Sequence, residues 1–273
     1  MALPVPVRVG PDIPVREPFG FGRIVCAVND CRCAQDAVQQ ATQLVAPGDT
    51  LTFVAVADAS GVSPAGQAAL DRARAVAAVD AARAAAHVDG VEASTMIVHD
   101  QDVSGAILEA ARGAGLLVVG AHGHRRIAHS SPVPALVARG RPELGFPGVV
   151  LVATRGVEDR HAAVVAARIA ALHDTRVVLA HAGQADSAIR QALAEQAADV
   201  LEITGTEPVV VSVDGPPADC LLAMASSMSA GLVVLGSHGR RDPQALASVS
   251  KRVARHAICS VLVLAANYSP ATG

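Results

Sequence analysis

The sequence has no tryptophan, a single tyrosine (Tyr268) and four phenylalanines in 273 residues. So little aromatic surface disfavours single-stranded nucleic acid, which needs rings for its bases to stack on. Lysine is as scarce: Lys251 is the one lysine among 22 basic residues, a bias that with the alanine excess points to a GC-rich genome rather than to a function. Net charge is −3 and the isoelectric point near 6.3, which argues against a nucleic-acid or anionic-membrane partner. No apolar run reaches the ~18–20 residues of a membrane span. The N-terminus lacks the basic and apolar regions of a secretory signal. There is no Gly-x-Ser-x-Gly elbow, Walker loop or His-Glu-x-x-His, so no motif marks an enzyme.

Five cysteines is an odd number without a secretion signal, and reduced cytosolic thiols are the expectation. Cys31-Arg-Cys33 invites a redox or metal reading, with His122, His124 and His129 as further ligands. A bridge across one residue is strained, however, and metal-binding cysteines are usually spaced two to four apart. Cys26, Cys220 and Cys259 read as small core hydrophobes.

What is present is alanine and valine: 51% of residues are hydrophobic and mean hydropathy is +0.39, ample for a core. Short apolar runs alternate with helical stretches, the pattern of parallel α/β sheets. In the first half, strands are expected at 23–28, 51–57, 93–98 and 116–119, and helices at 34–45, 65–88 and 103–111. The order then repeats. Gly120-Ala-His-Gly123 aligns with Gly236-Ser-His-Gly239 at an offset of 116 positions, and Val137-Ala-Arg139 with Val253-Ala-Arg255 at the same offset. Upstream, Ile24-Val-Cys-Ala27 aligns with Val150-Leu-Val-Ala153 at an offset of 126. Two copies of one domain account for both. The second copy has expected strands at 149–154, 176–181, 208–213, 232–236 and 260–264, and helices at 158–173, 184–202, 217–229 and 247–257.

The stretch 232–264 carries the most information. Leu232-Val-Val-Leu runs into Gly236-Ser-His-Gly239-Arg240, a Gly-x-x-Gly turn able to cradle an anion at a strand's carboxyl end. Ser248 is the expected N-cap of a helix whose apolar face holds Val249, Val253 and Ala257. Together with Ser260-Val-Leu-Val-Leu264, this stretch resembles the C-terminal half of a universal stress protein domain. ATP-binding members of that family carry Gly-x2-Gly-x9-Gly-Ser/Thr, in which loop and helix amides hold the phosphates. Here only seven residues separate Gly239 from Ala247-Ser248, and Ala247 stands in place of the glycine. The family's strand-end aspartate, beside the adenine, corresponds to Asn29 in the first copy and Arg155 in the second. In the first copy Ser131-Pro132 aligns with Ala247-Ser248, and a proline there removes an amide donor.

The resemblance implies two tandem, doubly wound, open parallel-sheet domains: an N-terminal extended arm over 1–20, a first domain over 21–145 and a second over 146–268. It implies a cytoplasmic, non-enzymatic regulatory protein of the stress response with largely degenerate nucleotide sites and no cofactor. The alternative is a sensor that binds ATP or another adenine nucleotide in the second domain through Gly236, Gly239, Arg240 and Ser248. Expected partners are the two domains for each other, a second copy of the chain and an unidentified protein, with no nucleic acid and no membrane. No catalytic residue and no metal ligand is expected. The first copy has no apolar run after residues 135–139, read as helix, and so is expected to lack its fifth strand. Residues 3–9, with Val5, Val7 and Val9 alternating, are expected to pack on the edge left open or on the second copy's last strand.

Overall fold

The computed structural model describes residues 20–57, 65–121, 125–140, 146, 148–236 and 243–265. The first domain runs β1 (Arg23–Ala27), α1 (Arg32–Gln43), β2 (Thr50–Ala57), α2 (Ala65–Val88), β3 (Ala93–His99), α3 (Val103–Ala110), β4 (Leu116–Gly120), α4 (Arg125–Ser130) and β5 (Ala135–Ala138). The second runs β6 (Val149–Ala153), a 3-10 turn at Val157–Asp159, α5 (Arg160–Leu172), β7 (Arg176–Ala182), α6 (Ser187–Thr204), β8 (Val209–Val213), α7 (Pro217–Ser227), β9 (Leu232–Leu235), α8 (Pro243–His256) and β10 (Ser260–Val263). All strands join one sheet in the order β3-β2-β1-β4-β5-β10-β9-β6-β7-β8. Among the described residues every pairing is parallel except β5 with β10, which is antiparallel and joins the domains.

Burial explains which runs became which strands. The central strands are uninterrupted apolar runs because helices cover both their faces. Leu116–Gly120 and Leu232–Leu235 are buried at every position. The edge strands β3 and β8 are largely exposed and mix polar residues into the run. Capping is equally local. Asp186 accepts from the Ile189 amide at 2.8 Å to open α6, and Gly205, at φ 71°, closes it in the left-handed conformation. Phe146, in the stretch between the domains, is buried and meets the His173 ring edge-on at 5.3 Å.

Three expectations are corrected. The first domain does not lack its fifth strand: residues 135–138 are β5, paired with β4 on one side and β10 on the other. The 116-position alignment misled here, because α4 has six residues where α8 has fourteen. Val137 is therefore a strand residue and Val253 a helix residue, and Ser131-Pro132 follows α4 instead of starting a helix. With β10 bordered by β5 and β9, neither proposed berth for residues 3–9 is open; those residues lie outside the described ones. Finally, Cys31 and Cys33 are joined by a disulfide, while Cys26, Cys220 and Cys259 are free and buried.

The seam between the domains is a buried polar network. Ser260 is fully buried, and its hydroxyl donates to Gln40 Oε1 at 2.8 Å. Gln40 Nε2 donates to the Arg139 carbonyl at 3.0 Å, and the Arg139 amide returns a bond to Ser260 Oγ at 3.0 Å. The Arg139 guanidinium donates to the carbonyls of Ala254 and Cys259, placing a first-domain cation at the C-terminal end of α8.

Candidate functional site

Open α/β sheets bind ligands beyond the carboxyl ends of their strands, where the order of connection reverses. This sheet has two such points, between β1 and β4 and between β6 and β9. They lie in the two domains at equivalent places, and each is lined by the strand-end residues singled out above.

In the second domain, β6 ends at Ala153 and the chain turns sharply through Arg155 and Gly156. Gly156 has φ 148°, a value side chains rarely tolerate. The 3-10 turn then brings Asp159 back over the strand end. Asp159 is 2% exposed; its Oδ2 accepts the Arg155 amide at 2.8 Å and lies 3.5 Å from Arg155 Nε. Its Oδ1 presses on Gly236: a Cβ added there would lie 2.0 Å from that oxygen. Gly236 is therefore a glycine because a carboxylate occupies the space its side chain would need. Around this carboxylate, Gln196 Nε2 donates to the Gly156 carbonyl at 2.7 Å and buried His181 donates through Nδ1 to the Thr154 carbonyl at 3.0 Å. Thr154 Oγ1 and Gln196 Oε1 are buried and have no hydrogen-bond partner among the described residues. Arg160 is fastened to Asp199 by a two-pronged ion pair, 2.6 and 2.7 Å, which raises the guanidinium pKa and fixes the start of α5 against α6.

The first domain uses the same device with different chemistry. Cys33 stands 126 positions before Asp159, and it presses on Gly120 as Asp159 presses on Gly236. A Cβ at Gly120 would lie 2.6 Å from the Cys33 carbonyl oxygen and 3.1 Å from its sulfur. Asn29 is exposed, and its Oδ1 accepts the Cys31 amide at 3.1 Å in a local turn. In both domains, then, the first turn after the opening strand fills the space above the glycine that begins the Gly-x-x-Gly loop.

Of the four residues expected to hold a nucleotide, Gly236 lies at the switch point, closed over by Asp159. Gly239 and Arg240 lie outside the described residues, as do His122 and His124. Ser248 is not an N-cap: α8 opens at Pro243, five residues earlier, so Ser248 lies roughly 7.5 Å along the helix axis from its start. Proline is well suited to a first helical position, where its missing amide costs nothing. The Arg155 side chain is 42% exposed and folds onto Asp159. Sequence reading missed the Cys33/Asp159 position altogether. The 126-position offset held the signal, since it pairs these two residues four places beyond the paired strand ends Asn29 and Arg155. Among the described residues no group of three or more His, Cys, Asp or Glu could hold a metal ion, and no helix is long and apolar enough to cross a membrane.

The universal stress protein family model matches the chain twice, over residues 20–139 and 148–265. Among solved structures, a universal stress protein from Archaeoglobus fulgidus DSM 4304 is similar with a TM-score of 0.74 and 15% identity, over 91% of this chain and 100% of that one. A putative universal stress protein from Pseudomonas aeruginosa UCBPP-PA14 gives 0.60 and 18%, over 90% and 93%. A universal stress protein in complex with cAMP is 26% identical over 44% of this chain and 98% of that one, with a TM-score of 0.39. A search of curated proteins finds no match. The structural likeness carries the fold, and the two family matches between them span both halves of the sheet: the chain belongs to the universal stress protein family, with two such domains in tandem.

Proposed function

We propose that this chain is a non-catalytic, cytoplasmic regulatory protein that works through protein contacts, with both strand-end crevices closed to nucleotide phosphates. The Asp159 carboxylate pressed against Gly236 is the observation that supports the reading most strongly. Two unit negative charges about 4 Å apart repel by roughly 4 kcal/mol at an effective dielectric of 20. Arg155 offsets part of this, but it is already engaged by the same carboxylate. The bulk of Asp159 acts in the same direction as its charge. In the first domain Cys33 fills the matching space, and Asn29 brings no charge to the strand end.

Calorimetric titration of the full chain with ATP tests the reading. The expected dissociation constant is weaker than about 100 µM, or roughly −5.5 kcal/mol, with phosphate release no faster than the buffer background. A low-micromolar constant, or an adenine nucleotide released in stoichiometric amount from denatured protein, would favour the sensor instead.

A further inference from the structure

We infer that the Cys31–Cys33 pair is a thiol–disulfide exchange site, opened by small dithiols or a dithiol protein, at the mouth of the first domain's crevice. The pair is bonded and lies in the first turn of α1, a twelve-residue helix. Cys31 is the N-cap, with φ −82° and ψ 152°, and no side-chain oxygen caps this helix. The first turn carries no acidic residue, and exposed Arg32 separates the two cysteines in sequence. Asp30 next door is exposed and reaches Arg74 at 4.0 Å. A thiolate released here takes the place a capping oxygen normally fills, facing amide donors and the positive end of the helix.

The two cysteines differ in access, and this sets the direction of attack. Cys31 is half-buried, whereas Cys33 is 8% exposed and backed by Gly120. An incoming thiolate attacks the Cys31 sulfur, a mixed disulfide forms there, and the Cys31–Cys33 bond breaks. Cys33 leaves as a thiolate in the first turn of α1, beside Gly120, and takes a proton from water. The second thiolate of the dithiol then attacks its own partner sulfur, releasing the Cys31 thiolate, which is protonated in turn. Two electrons and two protons pass from the dithiol to the protein, and the dithiol becomes a disulfide. The other cysteines are poor competitors. Complete burial pushes the Cys26 thiol far up, burial pushes Cys259 up to about 11 against the smaller opposing effects of a backbone hydrogen bond and of Arg139, and Cys220 is buried in the core of the second domain.

The test uses the full chain, equilibrated in glutathione disulfide and labelled with a maleimide under native conditions, with sites read by peptide mass mapping. No cysteine should label before reduction. Brief treatment with dithiothreitol should expose Cys31 and Cys33 alone, and Cys26, Cys220 and Cys259 should label only after denaturation. In Cys33→Ser, glutathione disulfide should form a mixed disulfide on Cys31 at least ten-fold faster than on Cys33 in Cys31→Ser. Should either variant fail to fold, acid-quenched wild-type protein caught during reduction by a monothiol should carry the adduct on Cys31. Labelling of Cys31 and Cys33 before reduction would overturn the inference. So would a bond that resists dithiothreitol until denaturation, equal capture rates in the two variants, or a wild-type adduct on Cys33.

Discussion

Asp159 and Gly236 constrain each other. A methyl group at Gly236 would meet the carboxylate at 2.0 Å, and Asp159 is held in place by the Arg155 amide. Gly236→Ala should therefore cost about 1–3 kcal/mol, the usual range for overpacking a filled site. Adding Asp159→Ala should return part of that loss, with a coupling energy of about 1 kcal/mol or more in a urea-unfolding cycle. Additive effects would show that the two side chains do not share the space. His173 gives a second prediction, in pH. Burial against Phe146 lowers its pKa below the ordinary 6.5. Between the lowered value and 6.5 the unfolded chain takes up a proton that the native imidazole does not, so stability rises with pH across that window. The contribution is fully present above 6.5 and is lost as pH falls toward the folded value. Stability measured at pH 7.5 and 5.5 should fall less on acidification in His173→Gln than in wild type, and equal falls would contradict this.

Elements were legible where one physical signal dominated. The buried strands at 116–120 and 232–235 declare themselves as unbroken apolar runs between turn residues, and the helix at 65–88 as an alanine-rich stretch long enough for its composition to decide. Strand β5 was hidden because Ala-Leu-Val-Ala is too short to show a period, and the misleading 116-position register made it look helical. The start of α8 was hidden for another reason. A polar run masked it, and Ser248 offered a cap where Pro243 already opened the helix. The site was half legible: Gly120, Gly236, Asn29 and Arg155 could be placed at strand ends from sequence. What lies over the glycines depends on how the chain folds back after β1 and β6, a tertiary fact with no local motif. The Cys31–Cys33 bond was misread because an odd cysteine count and a one-residue spacing both argued against it.

At the scale of the whole molecule, the antiparallel β5–β10 seam turns two five-stranded sheets into one, so neither domain has an open edge at its centre. Arg139 binds this seam by capping α8 from the opposite domain. Arg139→Ala leaves buried carbonyls without donors and should destabilise the chain by about 1.5–3 kcal/mol, the range for hydrogen bonds to charged groups. If the seam couples the halves, urea unfolding of wild type should be a single transition and that of the variant two; unchanged stability would remove Arg139 from the account. On the proposed reading, the Asp159 carboxylate against Gly236 is what keeps a nucleotide phosphate out of the second domain's strand-end crevice. Calorimetric titration of ATP into wild type and Asp159→Ala, side by side at fixed ionic strength, measures it most directly. The expected wild-type dissociation constant is weaker than about 100 µM, with at least a ten-fold tightening, about 1.4 kcal/mol, in Asp159→Ala. Tight binding by wild type, or equal affinities in the two proteins, would contradict it.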